Sequence, residues 1–318
     1  INFIGFTGNP LAELLTGMPA FSAGARLNNP QHLRMNSFNL FAQSTHRVTP
    51  NLTLTAGLRW EYNTVPTDLN PAFRPNFQPD RNNFGPRVGF AYSAGTHGTV
   101  IRGGYGVYFD QSSLAPSEGT YFNYPYFDLR YYFFSAELPL TLANPFPANY
   151  PIPTPPSGNV VDPNIRTPYI QQWSFGVQQQ AGRGRVVELG YVGSKGTSLY
   201  ASRDVSQSAP FQYRPDPRYQ DIIRLESRAN SSYHALQASL RQQLTRGLTF
   251  LGAYTWSKSI DDASGFFNSA GDPNFPQDSY HVDNDRGRSN FDARQRLTAS
   301  GSWLLPSPRA AGKWLSGF

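Results

Sequence analysis

Along residues 51–63, NLTLTAGLRWEYN, apolar and polar side chains alternate. Leu52, Leu54, Ala56, Leu58, Trp60 and Tyr62 share one parity, and Thr53, Thr55, Gly57, Arg59 and Glu61 share the other. A period of two puts these sets on opposite faces of a β-strand. The stretch is about twice the usual strand length of roughly 5–6 residues. The pattern returns downstream. Ile101, Tyr105, Val107 and Phe109 oppose Arg102, Gly104 and Gly106. Trp173, Phe175 and Val177 oppose Gln172, Ser174 and Gly176. Leu248, Phe250, Tyr254 and Trp256 oppose Thr249, Thr255 and Ser257. Leu297 and Trp303 oppose Arg296, Thr298 and Ser300.

These segments come in pairs. The pattern predicts strands at 36–49 and 51–64, 84–94 and 99–111, 168–180 and 185–200, 232–245 and 247–260, and 293–305 with 313–318. Within pairs the connections are short and carry Gly, Pro or Asn, the chemistry of tight hairpins. Between pairs they are long, at 65–83, 112–167, 201–231 and 261–292, and rich in Pro, Asn, Asp, Ser and Tyr. A short apolar stretch at 9–17 predicts a helical turn or two. Residues 119–134 fit either an extra hairpin within the longest loop or two more wall strands.

Loops beyond about 12–15 residues are uncommon in compact soluble domains. A short–long rhythm arises when an up-and-down sheet crosses a bilayer, with tight turns on one side and long loops on the other. Aromatic residues near the strand ends (Trp60, Tyr62, Tyr169, Tyr200, Tyr233, Trp256) match an interfacial girdle. The expected fold is all-β: an antiparallel up-and-down transmembrane β-barrel, here roughly 10–13 strands of a larger barrel. The Leu52–Tyr62 face then meets lipid. Arg59, Glu61, Arg102 and Arg296 face the lumen, where pairing with one another or with a plug is the simplest role.

Composition narrows the choice. Of 318 residues, 14% are aromatic and 15% charged, against about 25% charged in a soluble domain. Mean hydropathy is −0.48, and no run approaches the roughly 18 apolar residues of a membrane helix. There is no cysteine, which excludes disulfides and thiolate metal sites. The net charge of +6 is scattered rather than clustered, so it is a diffuse surface excess and not a nucleic-acid footprint. The chain begins INFIGF and stops at GKWLSGF, which reads like the opening of another strand; a fragment of a longer protein is expected.

Motifs for chemistry are nearly absent. GYVGSKGTS (190–198) lacks the order of a phosphate loop. Asp283 and Asp285 in DNDRG begin like a calcium loop, with no later Glu in place. The five His show no H-E-x-x-H spacing, there is no G-x-S-x-G elbow, and Asp261 and Asp262 have no partner acid. No enzyme, metal site or cofactor is expected. The best candidate for ligand contact is the aromatic loop YFNYPYFDLRYY, with Tyr121, Phe122, Tyr124, Tyr126, Tyr131 and Tyr132 offering rings and Arg130 a charge. Self-packing of this loop is the alternative.

Residues 45–63, 82–93, 99–111 and 283–306, together with FTGNPLAELLTGMP (6–19), resemble TonB-dependent outer-membrane receptors. More narrowly, they resemble the Oar-like branch, whose members carry an N-terminal carboxypeptidase-regulatory-like domain. The resemblance spans nearly the whole chain. It implies residence in the outer membrane of a Gram-negative-type bacterium, among outer-membrane lipid and lipopolysaccharide. It also implies energised uptake of a large substrate (saccharide, peptide or chelate) and contact with the TonB complex through an N-terminal region. That region, with its TonB box and plug, is not in this sequence, nor are the strands that close a barrel of about 22. A passive porin-like barrel or an adhesion scaffold is the other function class.

Overall fold

The structure, a computed structural model, describes residues 1–3, 8–28, 32–69, 76–95, 98–110, 114–118, 120, 123, 126–137, 139–148, 155, 157–208, 213–243, 247–265 and 275–304. Its main element is an eleven-stranded sheet. Nine long strands make the wall: β1 (Ser37–Thr49), β2 (Leu52–Asn63), β3 (Asn83–Ala94), β4 (Thr99–Phe109), β5 (Tyr169–Gln180), β6 (Arg185–Asp204), β7 (Ile222–Gln243), β8 (Leu248–Asp261) and β9 (Gln295–Trp303). Each pairs antiparallel with the next in chain order. Among the described residues the sheet is not closed, and β1 and β9 are its edges.

Register carries the alternation from strand to strand. Leu54, Phe90, Gly103, Phe175, Tyr191, Leu236 and Trp256 face one another in a single row. The adjacent row on the opposite face is Thr55, Gly89, Gly104, Ser174, Val192, Ala235 and Ser257. One face is therefore large and apolar, the other small and polar. The apolar face is bare: Leu54, Phe175, Leu236 and Trp256 are all exposed. Gly103 is needed in its row, because a Cβ there would lie 2.5 Å from the Phe90 ring.

The tight turns use left-handed backbone at Gly95, Gly98, Gly182, Gly184 and Gly247. Such positions favour glycine because it lacks the clashing Cβ. The helix α1 (Pro10–Thr16) has Asn9 as N-cap and ends on Gly17 at φ 70°, as the short apolar stretch predicted.

Several expectations need correction. The predicted loop 201–231 is strand at both ends: β6 and β7 stay paired out to Asp204 opposite Ile223, and only 205–221 connects them. Their outer halves carry no apolar alternation, because both faces there meet water or loops. Irregular pairing near Gly196, Leu199 and Tyr200 marks the change, with Ser198 at φ 54°. Gly158–Val161 adds a parallel strand against Ile222–Leu225. Of the segment 119–134, Phe127–Phe133 is not a wall strand: it pairs antiparallel with Phe21–Leu27 in a separate two-stranded sheet. Tyr200 and Tyr233 leave the proposed girdle. Tyr200 lines an inner cavity, and Tyr233 faces Ser194 and Ser259 on the inner face. The expected strand at 313–318 lies outside the described residues.

The hairpin β5–β6 offers a stability test. A Cβ on Gly184 (φ 70°) would meet the Gln243 carbonyl at 2.6 Å, whereas Gly182 (φ 79°) has open space around it. Gly182→Ala should cost about 1 kcal/mol from backbone strain alone, and Gly184→Ala measurably more. Urea unfolding of the two variants refolded into lipid vesicles checks the order.

Candidate functional site

The inner face and the long-loop end hold most of the polar chemistry. On the inner face Arg59 pairs with Glu61 and reaches Asn39 at 3.1 Å. Arg102 donates to Gln178. Arg296 stands opposite Thr255 and is exposed. Arg102 and Arg296 share one row, through Gly176, Gly190, Gln237 and Thr255, while Arg59 and Glu61 lie nearer the long-loop end. All four stand on the sheet face opposite the apolar row.

The aromatic candidates are divided. Tyr121, Phe122 and Tyr124 lie outside the described residues. Tyr126 closes the turn into Phe127–Phe133, its carbonyl accepting from the Asn28 amide at 2.8 Å. Arg130 pairs with Asp128 at 2.7 Å. Tyr132 packs edge-on against Phe146, centroids 5.7 Å apart, while Tyr131 on the other side of the strand is exposed. Self-packing therefore holds for Tyr132 and leaves Arg130 and Tyr131 accessible. Asp283 lies in a 3₁₀ turn with Asp285, and its side chain is fully exposed. Among the described residues no cluster of three metal-ligating side chains occurs.

A charged clasp at the tip of the β6–β7 hairpin was missed in sequence. Glu226 accepts both arms of the Arg203 guanidinium, at 2.9 and 3.0 Å, and a bond from Arg224 at 2.5 Å. Arg203 also donates to the Ser279 carbonyl at 2.9 Å, tying the next loop down. Asp204, buried, accepts from the amides of Ser206 and Ile222 and from Arg214, and Arg214 bridges on to Asp221 at 3.1 Å. Burial raises the Glu226 carboxyl, but the bonds and charges of Arg203 and Arg224 outweigh it and hold the group below its ordinary value. Asp221 goes the other way, since burial there exceeds the pull of Arg214. The only sequence signal was the density of opposite charges between Arg203 and Arg228, which reads equally well as a solvated loop.

Beside the clasp, a small half-open pocket is lined by Asn63, Phe77, Asp80, Arg166, Thr167 and Tyr200. The Asp80 carboxylate accepts from the Thr167 amide at 2.9 Å. Burial, then the negative charges of Asp110 and Asp80, push the Tyr200 hydroxyl well above its ordinary value, so it remains a neutral donor. Two rings, a carboxylate and a guanidinium around one hollow can hold a polar ligand by stacking and hydrogen bonds.

An open wall of long antiparallel strands, bare and apolar on one face, small and polar on the other, defines an outer-membrane barrel segment. The chain belongs to the outer membrane beta barrel domain family, matched over residues 1–82 and 72–318. No curated protein is significantly similar to it. Among solved structures it is similar to the outer membrane transporter YddB from Escherichia coli, at 13% identity and TM-score 0.54, over 84% of this chain and 31% of that one. It is also similar to a chain of the FpvAI–pyocin S2 complex, at 13% identity and TM-score 0.51, over 87% of this chain and 27% of that one. It thus spans about a third or less of the length of those proteins. The expected outer-membrane location and all-β fold hold.

Two measurements follow. In the row containing Leu54, an outward Arg near the bilayer midplane costs about 2–4 kcal/mol. Leu54→Arg should show that loss in vesicle-refolded protein, and the inward Thr55→Arg far less; equal losses would reverse the facing. At the tip, Glu226→Gln leaves Arg203 and Arg224 without their carboxylate and should cost about 2 kcal/mol locally, seen as faster proteolysis within 205–221. Since Glu226 is held below its ordinary carboxylate value, its contribution is complete above the ordinary range and is lost as pH falls through the lowered value. The wild-type tip should become protease-sensitive on acidification, while the variant responds less.

Proposed function

We propose that this chain is part of the barrel wall of a TonB-dependent receptor of the Oar-like branch, and that the full-length protein takes up a large substrate by energised transport. One observation carries the reading. Among the described residues nine strands pair in one open wall, and its inner face is lined by Gly57, Gly89, Gly104, Gly176, Gly190 and other small residues. A barrel that wide has an interior its own side chains do not fill, and barrels of about 22 strands carry a plugged lumen. A small, polar inner face suits a folded plug. The likeness to an outer membrane transporter supports the same reading.

In this proposal residues 1–318 are a partial barrel domain. The plug, the TonB box and the carboxypeptidase-regulatory-like domain precede it in the full-length protein, which meets the TonB complex through them. Lipopolysaccharide and other outer-membrane lipid surround the wall. The protein is not an enzyme. Arg130 and Tyr131, both exposed on the Phe127–Phe133 strand, and the cavity beside Tyr200 contact the substrate, which is a saccharide, peptide or chelate rather than a bare ion. The turns at Pro50, Gly182–Gly184 and Gly247 are periplasmic, and the loops 112–167 and 261–292 are external.

Liposome swelling separates this proposal from a passive porin. Reconstituted full-length protein should give no swelling in small sugars, because the plug occludes the lumen; rapid swelling would overturn the reading. Orientation has its own check. A cysteine at Ser157 should react with an impermeant thiol reagent on intact cells, and one at Arg183 should not. The described region has no native cysteine to confuse the result.

A further inference from the structure

The charges on the outward face are sorted by sign. On the wall strands below the irregular β6–β7 pairing, every carboxylate lies on the inner face: Glu61 opposite Asn39, Glu188 opposite Gln178, and Asp261 opposite Ser231. The outward charges there are all basic, Arg185, Lys195 and Lys258, and His46 and His234 share that face. Arg185 and Lys195 bracket Val187, Leu189, Tyr191 and Gly193, the outward residues between them on β6. Ten residues of strand measure about 33 Å. Tilted at about 40°, that is about 25 Å along the membrane normal, the height of an outer-membrane barrel's apolar band. Arg185 therefore marks the tight-turn edge of the band and Lys195 the long-loop edge.

Three basic groups meet at that outer edge. His234 stands directly between Gly193 on β6 and Lys258 on β8. Lys195 is opposite Ser232, two residues along β7 from His234. Strand spacing and rise separate the Cα atoms of Lys195 and Lys258 by about 12 Å, so two extended lysines can close on one small group. The imidazole is held in place. Tyr191 Oη lies 2.7 Å from His234 Nδ1, and the Trp173 ring lies 6.0 Å away. Trp173 reaches there only because residue 193 is glycine: a Cβ would lie 2.3 Å from its Nε1. His234 and Lys258 are exposed, while Ala235, Ser257 and Ser259 on the other face are buried. Among the described residues neither lysine has an ion-pair partner.

We propose that Lys195, His234 and Lys258 form a binding site on the outward face for a phosphomonoester-bearing lipid headgroup in the outer leaflet, whose chains lie along the apolar row below. A phosphomonoester carries close to two negative charges near neutral pH, which two lysines neutralise, and the held imidazole adds a directed hydrogen bond. Simple snorkelling of each lysine to water would need neither the ordered histidine between them nor the exclusion of carboxylates. The site rests on the outer-membrane assignment and not on transport, so it stands or falls apart from the proposed uptake.

The test uses the protein expressed from its complete gene and purified into phosphatidylcholine nanodiscs. Binding of bisphosphorylated lipid A is followed by native mass spectrometry, beside phosphatidylglycerol, fully dephosphorylated lipid A and inorganic phosphate. The expected result is retention of bisphosphorylated lipid A well above the other two lipids, without competition by inorganic phosphate. Replacing both lysines (Lys195→Gln with Lys258→Gln) should weaken retention about thirtyfold, and Lys195→Arg with Lys258→Arg should restore most of it. Heat-modifiable mobility confirms that each barrel is folded. Equal retention of the dephosphorylated lipid or of phosphatidylglycerol, an unchanged affinity in the folded glutamine variant, or displacement by inorganic phosphate would each overturn the proposal.

Discussion

The wall depends on register more than on any single contact. Because side chains alternate with a period of two, a slip of one residue between neighbouring strands would turn an entire strand's apolar set inward. Leu54, Phe90, Gly103, Phe175, Tyr191, Leu236 and Trp256 stay in one row across seven strands only because each ladder keeps its step. The hairpin turns set that step locally, through glycines with positive φ at the short ends. The bilayer then supplies the energetic reason for it. Hydrocarbon accepts no unpaired backbone amide, so every strand must find its neighbours in full.

The lipid-crossing part of the fold was therefore legible. Four hairpins follow from alternation and turn residues, and their ends fall within a few residues of the structure on the bilayer side. What escaped was the part of the same strands that leaves the membrane. In β6 and β7 the stretch from Tyr200 to Asp204 and back through Ile222 to Ser227 is strand with a polar, irregular pattern, because no face of it meets hydrocarbon. The pairing of Phe127–Phe133 with Phe21–Leu27 was equally hidden. It joins segments about a hundred residues apart, and no local periodicity announces such a partner. Among the site residues, the shared face of Arg59, Glu61, Arg102 and Arg296, opposite the apolar row, followed from parity alone. The clasp around Glu226 did not, since charge density cannot distinguish a folded network from a solvated loop.

The two ends of the wall are built by different rules. At the tight-turn end the chain reverses at once and little projects. At the other end the backbone continues as paired strand past the apolar band, and side-chain charge replaces apolar packing as the cohesive element. Arg203, Glu226, Asp204 and Arg214 bind the β6–β7 connection and the segment around Ser279 together. The cavity beside Tyr200 lies at this boundary, between strand-borne and loop-borne residues.

The height of the β6–β7 extension has a consequence of its own. Strand β6 runs nine residues beyond Lys195 to Asp204, about 30 Å of chain, so its tip stands clear of the headgroups. Residues there are exempt from the cost of entering lipid. Substitutions in the tip are filtered only by whether the clasp still closes, while those in the wall are filtered by insertion. One polypeptide thus carries two regimes of tolerated change, divided at the irregular pairing around Ser198, and surface recognition can diversify above that seam without disturbing how the barrel enters the membrane.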